Sequence, residues 1–123
     1  MLSEQQLTQF AREWIAGWNS HNLELILSHY ADEIEFISPL IVKLSVQPDG
    51  LIKGKENLRN YFTKGLATYP ELKFELLQIL FGVNSITIFY RSVNNLLAAE
   101  LMVLNNEMKA MEVRAHYHPY LTE

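Results

Sequence analysis

Apolar residues at Leu7, Phe10, Ala11, Trp14, Ile15 and Trp18 recur every three or four positions, which places them on one face of a helix. Ser3 and Gln6 stand at the spacing of a capping box, in which each side chain satisfies a free backbone N–H of the first turn. Gly17 lowers helix propensity near the end, and Asn19-Ser20 breaks the pattern. Asn22 is positioned to cap a second, short helix with Leu23, Ile26, Leu27 and Tyr30 on its apolar side. So short a connection folds the two helices back on one another. A short strand is expected over 34–38, closed by Pro39, and a further short strand over 40–46. Pro48-Asp49-Gly50 signals a turn. A third helix is expected over 55–66, with Leu58, Tyr61, Phe62 and Leu66 on one side. Tyr69-Pro70 ends it, because a residue before proline disfavours the helical region.

Beyond residue 72 the period changes to two. Strands are expected over 73–81, 85–93, 96–104 and 109–118, forming an antiparallel meander. Asn94-Asn95 reads as a two-residue hairpin turn, because asparagine tolerates positive φ. That turn pairs Val93 with Leu96, Arg91 with Ala98 and Phe89 with Glu100. Phe89, Arg91, Ala98, Glu100 and Met102 then share one face, with Arg91 and Glu100 in diagonal reach of a salt bridge. Ile86, Ile88, Tyr90, Leu97, Ala99, Leu101 and Val103 fall on the other. The run 96–104 is apolar apart from Glu100, so both of its faces should be covered. Helices cover one. A second copy of the chain, making a homodimer, is favoured for the other over the chain's own loops.

The chain has 123 residues, 49% hydrophobic and 20% charged, the size and balance of one globular domain over 1–123. Fourteen acidic against ten basic residues give a net charge of -4, which argues against nucleic-acid binding. The lack of cysteine excludes disulfides, thiolate nucleophiles and thiolate metal sites, and fits a reducing cytoplasm. The opening Met1-Leu2-Ser3-Glu4 has no basic start leading into an apolar run. No apolar stretch approaches the ~20 residues that span a bilayer. The expectation is a cytoplasmic protein without membrane contact, with a removed leader left open.

Several segments resemble the SnoaL-like and ketosteroid-isomerase branch of the nuclear transport factor two superfamily. They are Trp14-Ile15-Ala16-Gly17-Trp18-Asn19-Ser20-His21-Asn22, the run Tyr30 to Pro39, Gly54-Lys55-Glu56-Asn57-Leu58, and Ala110-Met111-Glu112-Val113-Arg114-Ala115-His116-Tyr117. Their order and spacing carry the resemblance over nearly the whole chain. It implies an α+β fold: a cone-shaped, curved antiparallel sheet wrapped around three helices. It does not imply one reaction, since the fold hosts isomerases, cyclases, dehydratases, epoxide hydrolases and non-catalytic modules.

Ketosteroid isomerases use a carboxylate base and an oxyanion hole of a tyrosine and a protonated aspartate. The resemblance puts those three positions at Ser38, Trp14 and Glu100 respectively. Serine of ordinary acidity cannot act as the base, and an indole donates one hydrogen bond but relays no proton. Steroid isomerisation is therefore not expected. The resemblance also directs the face bearing Glu100 toward a cavity, with Trp14, Trp18, Tyr30, Phe62, Val113, Ala115 and Tyr117 around it. Two readings of Arg91 and Glu100 stand: a pocket pair for acid/base work or anion anchoring, and a passive ion pair. The aromatic group reads as a pocket for a small apolar or aromatic ligand, against ordinary core packing for any one member. His116 and His118 project outward from the last strand, which favours solvent or a dimer interface over a metal. His21 and His29 flank the second helix as surface or packing residues. No glycine-rich phosphate loop, zinc motif or nucleophile elbow appears.

The leading functional expectation is a small-molecule enzyme, an isomerase, cyclase or hydrolase using acid/base chemistry without a cofactor or metal, with Glu100 as its catalytic group. The alternatives are a non-catalytic ligand-binding or partner-docking module, and a structural dimer with a vestigial cavity.

Overall fold

The capping box forms as the sequence requires. Ser3 Oγ accepts from Gln6 N at 3.1 Å, and Gln6 Oε1 accepts from Ser3 N at 2.9 Å. They open α1, Glu4–Ser20, whose apolar stripe is buried from Leu7 to Trp18. His21 closes it in the left-handed region at φ 59. Asn22 Oδ1 accepts from Leu25 N at 3.1 Å and starts α2, Leu23–Leu27. The computed structural model describes residues 1–121.

Tyr30 does not belong to α2. It is the first residue of β1, Tyr30–Ile37, four positions earlier than the expected strand. The expected strand over 40–46 is not there either. Ser38 Oγ accepts from Leu40 N at 3.1 Å and Pro39 takes the first helical position, so the segment winds into α3, Pro39–Lys43. Proline's missing N–H costs nothing at a helix start, so Ser-Pro opens a helix here as readily as it closes a strand. The rest of the chain forms β2 (Leu51–Lys53), α4 (Lys55–Thr68), β3 (Glu75–Gly82), β4 (Ser85–Arg91), β5 (Leu97–Leu104) and β6 (Ala110–His118).

One curved, unclosed six-stranded sheet results, in the order β2-β1-β6-β5-β4-β3. The meander from β3 to β6 is antiparallel, whereas β1 lies parallel to β6 with Phe36 opposite Val113. The core lies between the sheet and α1, α2 and α4. Among the described residues no helix is long and apolar enough to cross a membrane.

The hairpin between β4 and β5 corrects the expected register. Asn94 and Asn95 both take positive φ, 54 and 62. They do so within a three-residue 3₁₀ turn, Val93–Asn95. Ser92 N donates to Leu96 O at 2.7 Å beneath that turn, and Arg91 pairs with Leu97. The loop is one residue longer than a two-residue turn, and a slip of one reverses every side chain of a strand. Ile86, Ile88 and Tyr90 accordingly face the helices and are fully buried, rather than facing outward. Phe89 and Arg91 lie on the outer face and do not line the cavity that Glu100 lines. Arg91 approaches Glu75 Oε1 at 3.8 Å and Asn95 Oδ1 at 3.2 Å. Glu100 is opposite Ile88, on the other side of the sheet from Arg91, so the expected ion pair does not form. The face expected for Leu97, Ala99, Leu101 and Val103 is the one observed.

Candidate functional site

Glu100 is the only charged residue of β5, and its side chain turns inward with Ala98 and Met102. It is 3% exposed. Its ladder neighbours are Ile88 and Ala115, which offer the carboxyl no polar partner. Two residues along β4, the Tyr90 hydroxyl donates to Glu100 Oε2. From β6 the Tyr117 hydroxyl lies beside those of Tyr90 and Ser38.

Burial pushes the Glu100 carboxyl up to about 7, and the hydrogen bond from Tyr90 offsets part of that rise. The same burial, reinforced by the Glu100 charge, holds the Tyr90 and Tyr117 hydroxyls above the ordinary tyrosine range. At neutral pH the tyrosines are therefore neutral donors, while Glu100 is balanced between acid and carboxylate.

Glu100 lines a cavity of about 40 Å³. Trp18, Phe36, Phe62 and Phe74 supply aromatic walls, and Gly65, Tyr69, Leu72 and Val93 lie in the same lining. Among the described residues three buried side-chain polar atoms lack a hydrogen-bond partner: Glu100 Oε1, Trp18 Nε1 and His29 Nδ1. The residues carrying the first two, an acid and an N–H donor, line this one cavity. Buried polar atoms are normally satisfied, so the unpartnered Glu100 oxygen is a candidate contact for a ligand or a water.

Of the expected cavity residues, Trp18, Phe62, Tyr117 and Glu100 line the space. Trp14 and Tyr30 stand behind the wall, joined by a 2.9 Å hydrogen bond from Trp14 Nε1 to Tyr30 Oη. Trp14 also stacks on Phe74 and meets Tyr90 edge-on, at ring separations of 5.7 and 5.2 Å. Val113 and Ala115 are buried in β6. Ser38 is buried as the cap of α3, with its hydroxyl beside those of Tyr61 and Tyr117. Phe89 and Arg91 are absent from the site, for the reason given by the hairpin. Tyr90 was missed for that same reason. The signal for it was the alternation of β4 itself, which sets Ile86, Ile88 and Tyr90 against Thr87, Phe89 and Arg91. An arginine belongs on the watered side of that choice.

A larger but shallow groove of about 540 Å³ runs between α1 and the β5–β6 turn. His29 forms part of it, its pKa lowered by burial. The aromatic-walled cavity is the better candidate because a buried carboxyl with one unpartnered oxygen lines it. His116 and His118 are exposed on the outer face, and among the described residues no three His, Cys, Asp or Glu side chains gather as a metal site would require.

The SnoaL-like domain matches residues 11–115. A SnoaL-like protein of unknown function from Burkholderia thailandensis E264 is 40% identical, covers 94% of this chain and 96% of its own, and superposes with a TM-score of 0.89. A protein with a ketosteroid isomerase-like fold from Catenulispora acidiphila DSM 44928, solved in complex with trimethylamine, is 12% identical over 92% of this chain and 88% of its own, with a TM-score of 0.74. The epoxide hydrolase/cyclase-like enzyme SalBIII, of pyran ring formation in the polyether salinomycin, is 15% identical over 98% and 97%, with a TM-score of 0.77. At such identities the last two share the fold alone. None of the curated proteins matches. The matched domain spans most of the sequence, and the chain belongs to the SnoaL-like family.

Proposed function

We propose that this protein is a small-molecule enzyme in which Glu100 transfers a proton to or from an apolar or aromatic ligand, without a cofactor. The reaction class is isomerisation, cyclisation or hydrolysis. One observation carries the proposal: Tyr90 holds one oxygen of a buried carboxyl, the other has no partner among the described residues, and Glu100 lines an aromatic-walled cavity. In its neutral form Glu100 donates a proton to a ligand oxygen. The carboxylate left behind is stabilised by the Tyr90 hydroxyl, and a carboxyl near neutrality exchanges protons readily in both directions. The test is turnover of a panel of small epoxides, cyclic enones and hydroxy-enones by the wild type and by Glu100→Gln. Catalysis by Glu100 predicts a loss of about 10²–10⁴-fold in kcat with binding retained. Equal turnover by Glu100→Gln overturns the assignment.

A second reading is a non-catalytic binding module, favoured by the serine and tryptophan at positions 38 and 14, where the resemblance puts a base and a tyrosine. It predicts ligand heats in calorimetry and no turnover in either protein. We further infer that two copies pair through the outer sheet face. Leu97, Ala99, Leu101 and Val103 form a partly exposed apolar strip there beside Phe89 and Leu80.

A further inference from the structure

We propose that Gly65 is the specificity-determining position of this cavity: the side chain it lacks leaves room for a flat, one-ring ligand to lie against the aromatic wall with its oxygen toward Glu100. The assignment rests on the cavity being a ligand site.

On the inward side of α4, Leu58, Tyr61 and Phe62 are buried, Gly65 and Leu66 are half-buried, and Tyr69 follows as the residue that closes the helix. All but Gly65 are large. A glycine within a helix is less favourable than alanine, because it surrenders more backbone freedom on folding. Two structural reasons commonly justify one. A left-handed backbone is the first, and Gly65 is helical. Close packing is the second, yet a Cβ placed at Gly65 meets no atom within 4 Å. Neither turn geometry nor packing against the rest of the chain requires glycine here. What distinguishes the position is that it forms part of the cavity lining, between Phe62 and Tyr69.

The shape of the ligand follows from the walls. Phe62 meets Trp18 edge-on at 4.7 Å and Phe36 edge-on at 5.6 Å, so the surfaces are flat and apolar. The titrating polar group is Glu100, to which the Tyr90 hydroxyl donates. A cavity that holds benzene is about 150 Å³. The present 40 Å³ already includes the space beside Gly65 and is smaller, so a ring also needs a turn of the half-buried Tyr69 side chain. Any side chain at position 65 takes that space away.

Titration calorimetry with phenol as a flat probe and cyclohexanol as a puckered one, together with thermal melting, tests this in the wild type, Gly65→Ala and Gly65→Leu. Gly65→Ala should melt about 2–4 °C higher, since it removes unfolded-state freedom at a position free of clashes. It should also bind phenol at least tenfold more weakly, and Gly65→Leu should not bind it measurably. Wild-type protein should prefer phenol over cyclohexanol by at least tenfold. Unchanged phenol affinity in Gly65→Ala, or equal affinity for the two probes, overturns the assignment while leaving Glu100 chemistry intact. Loss of phenol binding in Gly65→Ala with full turnover in Glu100→Gln supports Gly65 and overturns the chemistry instead. A wild type that binds neither probe overturns both.

Discussion

Tyr90 and Glu100 lie two ladder positions apart on adjacent strands, and the tyrosine hydroxyl caps one oxygen of the buried carboxyl. The bond favours the ionised form, and burial opposes it. Tyr90→Phe therefore should move the Glu100 pKa upward from about 7, by about one unit for a lost hydrogen bond of ordinary strength. Carbonyl-stretch infrared spectroscopy across pH reads this directly. A downward shift would mean that the bond stabilises the neutral acid.

The raised pKa makes stability depend on pH in a defined direction. In the unfolded chain Glu100 ionises near 4.5, and in the folded chain near 7. The folded state therefore holds the proton more tightly. Its contribution is full below about 4.5, falls as pH rises, and levels off above about 7. The span is about 3 kcal/mol at 1.36 kcal/mol per unit. Urea denaturation at pH 5 and pH 8 should show the wild type losing stability relative to Glu100→Gln over this window. Parallel curves for the two proteins would contradict the assignment.

Tyr30 supports the wall without lining the cavity, so its removal should separate stability from chemistry. Tyr30→Phe leaves the buried Trp14 Nε1–H without its acceptor and should cost about 1–3 kcal/mol. Turnover per folded molecule should stay within twofold. A large fall in kcat at unchanged stability would move Tyr30 into the reacting group.

The outer face yields the test of association. Sedimentation at micromolar concentration should give a dimer, and Leu101→Lys, at a site 41% exposed in the single chain, should give a folded monomer. A monomeric wild type would refute pairing through this face.

Much of this fold was legible in local signals. The Ser3–Gln6 box, the Leu7-to-Trp18 stripe and the Asn22 cap each depend on residues within a few positions of one another, and all three form. The parallel contact of β1 with β6 joins residues some eighty positions apart, and no nearby pattern encodes it. At Ser38-Pro39 one dipeptide permits either a strand end or a helix start, and the buried Ile41 decides for the helix. Glu100 was legible because one charge in an apolar strand needs a reason. Tyr90 was not, because the asparagine pair allows a two- or three-residue turn, and that single residue decides which half of β4 meets the core.

Ser38 carries a consequence for the proposed chemistry. The resemblance puts it where ketosteroid isomerases keep a base, yet its Oγ accepts from Leu40 N and its own N–H donates to Gly50 O. A cavity with one carboxyl and no second base must recover, within each cycle, the proton it gives away. The ligand itself meets that condition when the proton lost at one atom replaces the one gained at another. Rearrangements and ring closures conserve protons in this way, whereas a reaction that releases a net proton has to open the aromatic chamber to solvent on every turnover.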